Sequence, residues 1–199
     1  MAMHMILASG SPVRAQLLRQ AAVKFSVVPA KIDEEMLRDS LLAESAPPRD
    51  VADKLAEMKA VKVSDKNPGT LVLGCDQVLD FQGKLLSKPL TQADAIEQLT
   101  AMRDSRHTLL SAAVLCQNGK PIWRHIGEVR MYMRALSDTY IHSYVDRNWE
   151  SIRQAVGAYK LEEEGVRLFS RIEGDYFHVL GMPLLELLTF LTQRGDLDA

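Results

Sequence analysis

The chain has 199 residues, 47% of them hydrophobic and 25% charged, with a formal net charge of -2. That length suits one sizeable core or two lobes, and the charge excludes a nucleic-acid-binding module held by bulk electrostatics, although a nucleotide needs only a few placed cations. No apolar run reaches the roughly 20 residues of a membrane span, and the N-terminus lacks the basic-then-apolar layout of a secretory signal, so no membrane partner and a cytoplasmic location are expected.

The first apolar run ends in Ser9-Gly10-Ser11, and Pro12 opens a helix. Pro12 suits the first helical position and Ser11 the N-cap. Leu17, Leu18, Ala21 and Ala22 recur at helical spacing as a buried face. A strand feeding a helix through small residues presents free backbone N–H groups and the positive end of the helix dipole, which suits phosphate. Arg14 adds a charge on the first turn. The same residues also read as an ordinary capped strand–turn–helix.

Residues 24–28 read as a short strand ended by Pro29. Asp33-Glu34-Glu35 follows as an acidic cluster at a strand exit, and residues 40–49, with Pro47-Pro48, read as a loop. Residues 49–64 carry Val51, Leu55, Met58 and Val61 at helical offsets, with Lys54, Lys59 and Lys62 among them. Residues 70–79 are strand formers interrupted by Asp76 and Gln77, and a turn signal at 80–84 makes a hairpin with 85–89. Thr91 and Asp94 form a capping-box pattern before Ile96, Leu99 and Met102.

Residues 107–117 read as a strand, returned by Asn118-Gly119 through residues 122–134. Ser137-Asp138 caps a helix bearing Ile141, Tyr144 and Val145. Residues 157–165 are irregular, and 166–172 and 176–180 read as strands. Gly181-Met182-Pro183 opens a last helix ended by Gly195. Mixed hairpins and crossovers predict an α/β fold on a mixed sheet, in one domain spanning 1–199 with two lobes and no separable linker.

Asp76 is the main anomaly, because an ionised carboxylate in an apolar run is costly unless paired, metal-bound or at an open strand end. Gly74 leaves room for a ligand beside the backbone. A strand-end Asp satisfied by a turn is the other reading. The 33–35 cluster supplies a second carboxylate for a divalent cation, or else is a solvated loop. Lys59 alone reads as a solvated helix lysine, and Lys88, fixed before Pro89, as a phosphate contact. Phosphate-loop, dinucleotide and nucleophile-elbow patterns are absent, and the five histidines show no i, i+4 metal pairing. Cys75 and Cys116 lie in apolar runs and read as buried structural thiols. Together these residues describe a nucleotide-phosphate site, with a helix N-terminus, Arg14, two lysines and two carboxylates.

In order along the chain, Leu7-Ala-Ser-Gly-Ser-Pro-Val-Arg14, Ile32-Asp33-Glu34, Glu57-Met58-Lys59-Ala60, Gly74-Cys75-Asp76-Gln77-Val78, Ser87-Lys88-Pro89, Gly157-Ala-Tyr159-Lys160, Ile172-Glu-Gly-Asp175 and Val179-Leu-Gly181-Met-Pro183-Leu184 resemble the Maf-like nucleoside triphosphate pyrophosphatases. The resemblance implies an elongated mixed sheet with flanking helices, two lobes around a central cleft as in inosine triphosphatase, and often a homodimer. It implies cleavage between the α and β phosphates, dependent on Mg²⁺ or Mn²⁺, which keeps non-canonical nucleotides out of nucleic acids. On matching positions Asp76 is the catalytic carboxylate and Glu34 the second, near the metal. Ser9, Ser11, Arg14, Lys59 and Lys88 contact substrate.

Val13, Gln77 and Glu162 stand where dTTP- and UTP-hydrolysing members carry Arg, Thr and Gln, and resemble the 7-methyl-GTP pyrophosphatase branch. Two residues depart from the pattern: Glu163 replaces a Gly of that branch, and Ala15 a common basic residue. A nucleotide-binding regulator of septum formation, without essential turnover, is the alternative; a pure binder has no need of Asp76 beside a polyanion.

Overall fold

Small capping residues start most of the helices, and the computed structural model describes residues 4–198. Strand β1 (Met5–Leu7) is wholly buried and leads into α1 (Pro12–Gln20). Ser11 caps that helix, its Oγ accepting the Arg14 N–H at 3.4 Å. Leu17 and Leu18 are buried as predicted, but the helix stops at Gln20. Ala22, at φ 54°, turns the chain towards β2 (Phe25–Val27), so Ala21 and Ala22 do not extend the buried face.

Helix α2 (Glu34–Ala43) occupies what was expected as the strand exit and the start of a loop. Asp33 Oδ1 caps it by accepting the Met36 N–H at 3.0 Å. None of its residues is buried, although Leu37 and Leu41, one turn apart, are half-buried on one side of it. Helix α3 (Pro48–Ser64) buries Ala52, Leu55, Ala56, Lys59, Ala60 and Val63. It packs closely on β3 (Leu71–Phe81) at Gly74, where a Cβ would fall 2.2 Å from Ala56 O and 2.7 Å from Ala60 N. The space expected for a ligand at Gly74 is therefore filled by helix backbone.

The remaining elements are β4 (Lys84–Leu86), α4 (Gln92–Met102), β5 (Arg106–Gln117), β6 (Lys120–Met133), α5 (Asp138–Ile152), β7 (Phe169–Glu173), α6 (Tyr176–Val179) and α7 (Leu184–Arg194). The sheet runs β2-β1-β3-β5-β6-β7, with β4 also on β3. β1 is parallel to β2 and β3, whereas β4 and β7 are antiparallel to their partners. The mixed α/β architecture expected from the sequence is the one found. No helix among the described residues is long and apolar enough to cross a membrane.

By internal contacts the described chain divides into two compact units. Residues 4–76, 111–127 and 181–198 form the first, and 77–110 with 128–180 the second. In the first, Ile6, Ala8, Val63 and Val72 form one apolar cluster. In the second, Leu79, Leu99, Met102, Met131, Ile141 and Tyr144 lie in the core. There the capping box of Thr91 and Asp94 forms as predicted. A 3-10 turn over Glu164–Leu168 shortens the strand expected from 166 to β7. The strand expected over 176–180 is helix α6 instead, because Asp175 Oδ1 accepts the Phe177 and His178 N–H groups and nucleates a turn.

Candidate active site

In the first unit, the close contact of α3 with β3 brings Lys59 to Asp76. The two residues are only 7% and 6% exposed. Lys59 Nζ lies 2.7 Å from Asp76 Oδ1 and 3.0 Å from Glu34 Oε1, at the start of α2. Lys59 is thus a buried member of the site; the solvated-lysine reading fails because position 59 lies on the same helical face as Ala52, Ala56 and Ala60. Burial pushes the Asp76 pKa above the usual carboxylate value, against the pull of Lys59 and Arg14. Asp76 is therefore satisfied by a cation and not by a turn.

Arg14 organises the other side of the cluster. Its Nε donates to Gly181 O at 2.8 Å, and its Nη1 to Cys75 O at 2.9 Å and Ser9 Oγ at 3.1 Å. Ser9 Oγ also accepts the Ser11 N–H at 3.3 Å. Gly181 adopts φ +89° and a Cβ there would meet the guanidinium at 3.1 Å, so a glycine is what lets Arg14 lie across this loop. Nothing in the sequence pattern pointed to the Gly181 carbonyl as an Arg14 acceptor. Val13, half-buried, sits beside Arg14 on the first turn of α1.

Asp76 and Glu34 present carboxylate oxygens to a single cationic position, which the Lys59 ammonium takes. Hard oxygen donors of this kind suit Mg²⁺ or Mn²⁺, which bind through one or two carboxylates and complete their shell from phosphate and water. The two carboxylates are donors of that type, and in this structure the Lys59 ammonium stands between them.

Lys88, Gln77 and Glu162 belong to the second unit. Lys88 is exposed beyond β4. The Gln77 amide donates to His178 O at 3.1 Å and Val179 O at 3.0 Å, fastening β3 to α6. Glu162 is exposed in the turn between the 3-10 segments Val156–Ala158 and Glu164–Leu168. Glu163 and Glu164, its neighbours, are bonded to α5 through Ser151 and Arg147. The irregular composition of 157–165 gave no sign of that pairing.

The family model described as Maf-like protein matches residues 4–194. The chain is 65% identical over 198 residues to a Ruegeria pomeroyi protein named nucleoside triphosphate pyrophosphatase, covering 100% of both. It is 42% identical over 198 residues to a Brucella abortus protein named 7-methyl-GTP pyrophosphatase, again covering 100% of both. Among solved structures, a HAM1 protein from Coxiella burnetii shares the fold at a TM-score of 0.54 and 16% identity, over 96% of this chain and 99% of that one. The chain belongs to the Maf-like protein family.

Proposed function

We propose that this protein is a nucleoside triphosphate pyrophosphatase that hydrolyses the α–β phosphoanhydride, giving a nucleoside monophosphate and pyrophosphate. The observation that carries the reading is the buried Lys59 ammonium shared by Asp76 and Glu34, beside the helix N-terminus ordered by Arg14. The names of the full-length relatives from Ruegeria pomeroyi and Brucella abortus support the same reaction class.

The Ser9-Gly10-Ser11 turn supplies backbone N–H groups at the start of α1, where a phosphate anion is stabilised. Arg14, Lys59 and Lys88 carry the positive charge for the triphosphate. Asp76, with its pKa raised by burial, accepts the proton of the attacking water; a carboxylate shifted towards neutrality is a better base than an exposed one. The water oxygen forms the new P–O bond as the bridging P–O bond breaks, and the two phosphate products leave. Asp76 and Glu34 would hold a divalent cation, Mg²⁺ or Mn²⁺, which when bound neutralises phosphate oxygens.

Base preference is assigned to Val13, Gln77 and Glu162, with a 7-methyl-GTP-like nucleotide as the favoured substrate. A free carboxylate at Glu162 accepts N–H donors of a guanine edge and attracts the positive charge of a 7-methylated ring. A regulator that binds without turnover has no use for a buried carboxylate beside a polyanion. The test is pyrophosphate release from a panel of natural and modified triphosphates with Mg²⁺ or Mn²⁺. Release from 7-methyl-GTP ahead of dTTP and UTP is expected, and no release from any triphosphate would overturn the reading.

A further inference from the structure

Residues 162–164 are consecutive glutamates, yet the structure treats them unequally. Glu163 accepts from Ser151 Oγ at 2.8 and 2.7 Å and lies 3.4 Å from Lys160 Nζ, which itself donates to Ser151 Oγ at 2.7 Å. Glu164 accepts from Arg147 Nη2 at 2.6 Å and Nε at 3.3 Å, and from Asn148 Nδ2 at 2.8 Å. Those donors hold its pKa down to about 2, so it stays ionised and locked on α5. Among the described residues, Glu162 makes no such bond and is exposed.

The loop is closed at its base as well. A Cβ on Gly165 would fall 2.3 Å from Lys160 O, so the two ends of 160–165 are in backbone contact. Tyr159, at the start of this segment, is buried against His107 and Phe169, with its hydroxyl 2.7 Å from His107 Nε2. A segment fixed at both ends and along one side presents Glu162 in a defined place.

We propose that Arg147, Asn148 and Ser151 of α5 are positioning residues for base selection: by taking up the carboxylates of Glu163 and Glu164 they leave Glu162 as the single uncompensated charge of the loop. This rests on the reading of Glu162 as the residue that meets the base. It also accounts for Glu163, which adds a carboxylate where the 7-methyl-GTP branch has a glycine; in this chain Ser151 and Lys160 absorb that charge. Losing Ser151 would leave Glu163 only its long contact with Lys160, and losing Arg147 would leave Glu164 its hydrogen bonds from the neutral donors Asn148 and Tyr140. Like-charge repulsion from those neighbours would then push the Glu162 carboxylate out of the place where it meets the base.

The readout is the ratio of kcat/KM for 7-methyl-GTP over dTTP, which a general loss of stability leaves unmoved. The double variant Arg147→Gln with Ser151→Ala is expected to lower that ratio about tenfold, through KM for 7-methyl-GTP, with kcat on both nucleotides retained. Removing the released carboxylate by Glu163→Gly in the Ser151→Ala background is expected to restore the ratio. Should the double variant not melt cooperatively, Ser151→Ala alone decides on the same ratio, since it removes one hydroxyl group. A ratio unchanged in these variants but shifted by Glu162→Gln overturns the α5 proposal and leaves the reading of Glu162 standing. A ratio that Glu162→Gln also leaves unchanged overturns both.

Discussion

Lys59 and Asp76 meet inside the protein, with 2.7 Å between Nζ and Oδ1 and both side chains under one-tenth exposed at 8% and 9%. A pair so buried stabilises little by itself, because desolvating the two charges offsets most of their attraction. Breaking it is another matter. Each partner is then left as an uncompensated charge, so the two residues depend on one another for burial and for charge state.

Removing the carboxylate tests the chemistry. Asp76→Asn is expected to lower pyrophosphate release by about 10²- to 10⁴-fold, the usual contribution of a positioned general base, while nucleotide binding persists. Single-turnover assays alongside equilibrium binding separate the two. Near-normal turnover in this variant would rule out Asp76 as the proton acceptor.

Removing the ammonium tests the burial. Lys59→Met leaves Asp76 without its nearest counter-charge and is expected to cost about 3–5 kcal/mol in denaturant unfolding. The double variant Lys59→Met with Asp76→Asn should recover part of that loss. Additive losses in the double variant would show that the pair is not coupled.

Gly74→Ala probes how α3 is seated. The new methyl would meet helix backbone, which yields less than a side chain, so a loss of about 2 kcal/mol or more is expected together with a drop in activity as Lys59 is displaced. A melting temperature equal to that of the parent would show that the helix shifts freely.

His107 makes a prediction about acid. It is 1% exposed, and burial pushes its pKa down to about 4 from the model-peptide value of 6.5. Above pH 6.5 the imidazole is neutral whether folded or unfolded and pH has no effect through it. As pH falls from there towards 4 the unfolded chain takes up a proton that the folded one refuses, so stability declines, by up to about 3 kcal/mol. Denaturant unfolding at pH 7 and pH 5 should show this slope in the parent and a flatter one in His107→Phe. Equal slopes would remove His107 from the account.

The elements most legible in the sequence were those with a chemical start and stop. Helix α1 has Ser11 and Pro12, α4 its Thr91–Asp94 box, and α7 the Gly195 stop, whose φ of 81° matches the left-handed cap. Helix α2 escaped because the acidic run Asp33-Glu34-Glu35 and the breakers Pro47-Pro48 read as loop, although Leu37 and Leu41 stand one turn apart within it. Helix α6 escaped because Tyr176-Phe177-His178-Val179 has strand-like composition, and one aspartate at its head outweighs that preference. At the site, the ordered motifs named Asp76, Lys59, Glu34 and Arg14. The burial of Lys59 could have been read from the alanines seven and three positions before it and one after, which set that face against a neighbour. The commitments of Glu163 and Glu164 could not, because they depend on residues of α5 more than ten positions away in the chain.

Both cysteines are fully enclosed, and burial pushes each thiol up to about 11. A thiol that is neither reachable nor ionised does not react with alkylating or disulfide reagents at neutral pH. Native protein therefore gives a silent background for labelling at introduced surface cysteines. Any modification of Cys75 also times an event: the strand that carries Asp76 must first come away from its neighbours. The rate of that reaction is an internal clock for opening at the heart of the proposed active site, with no probe added to the chain.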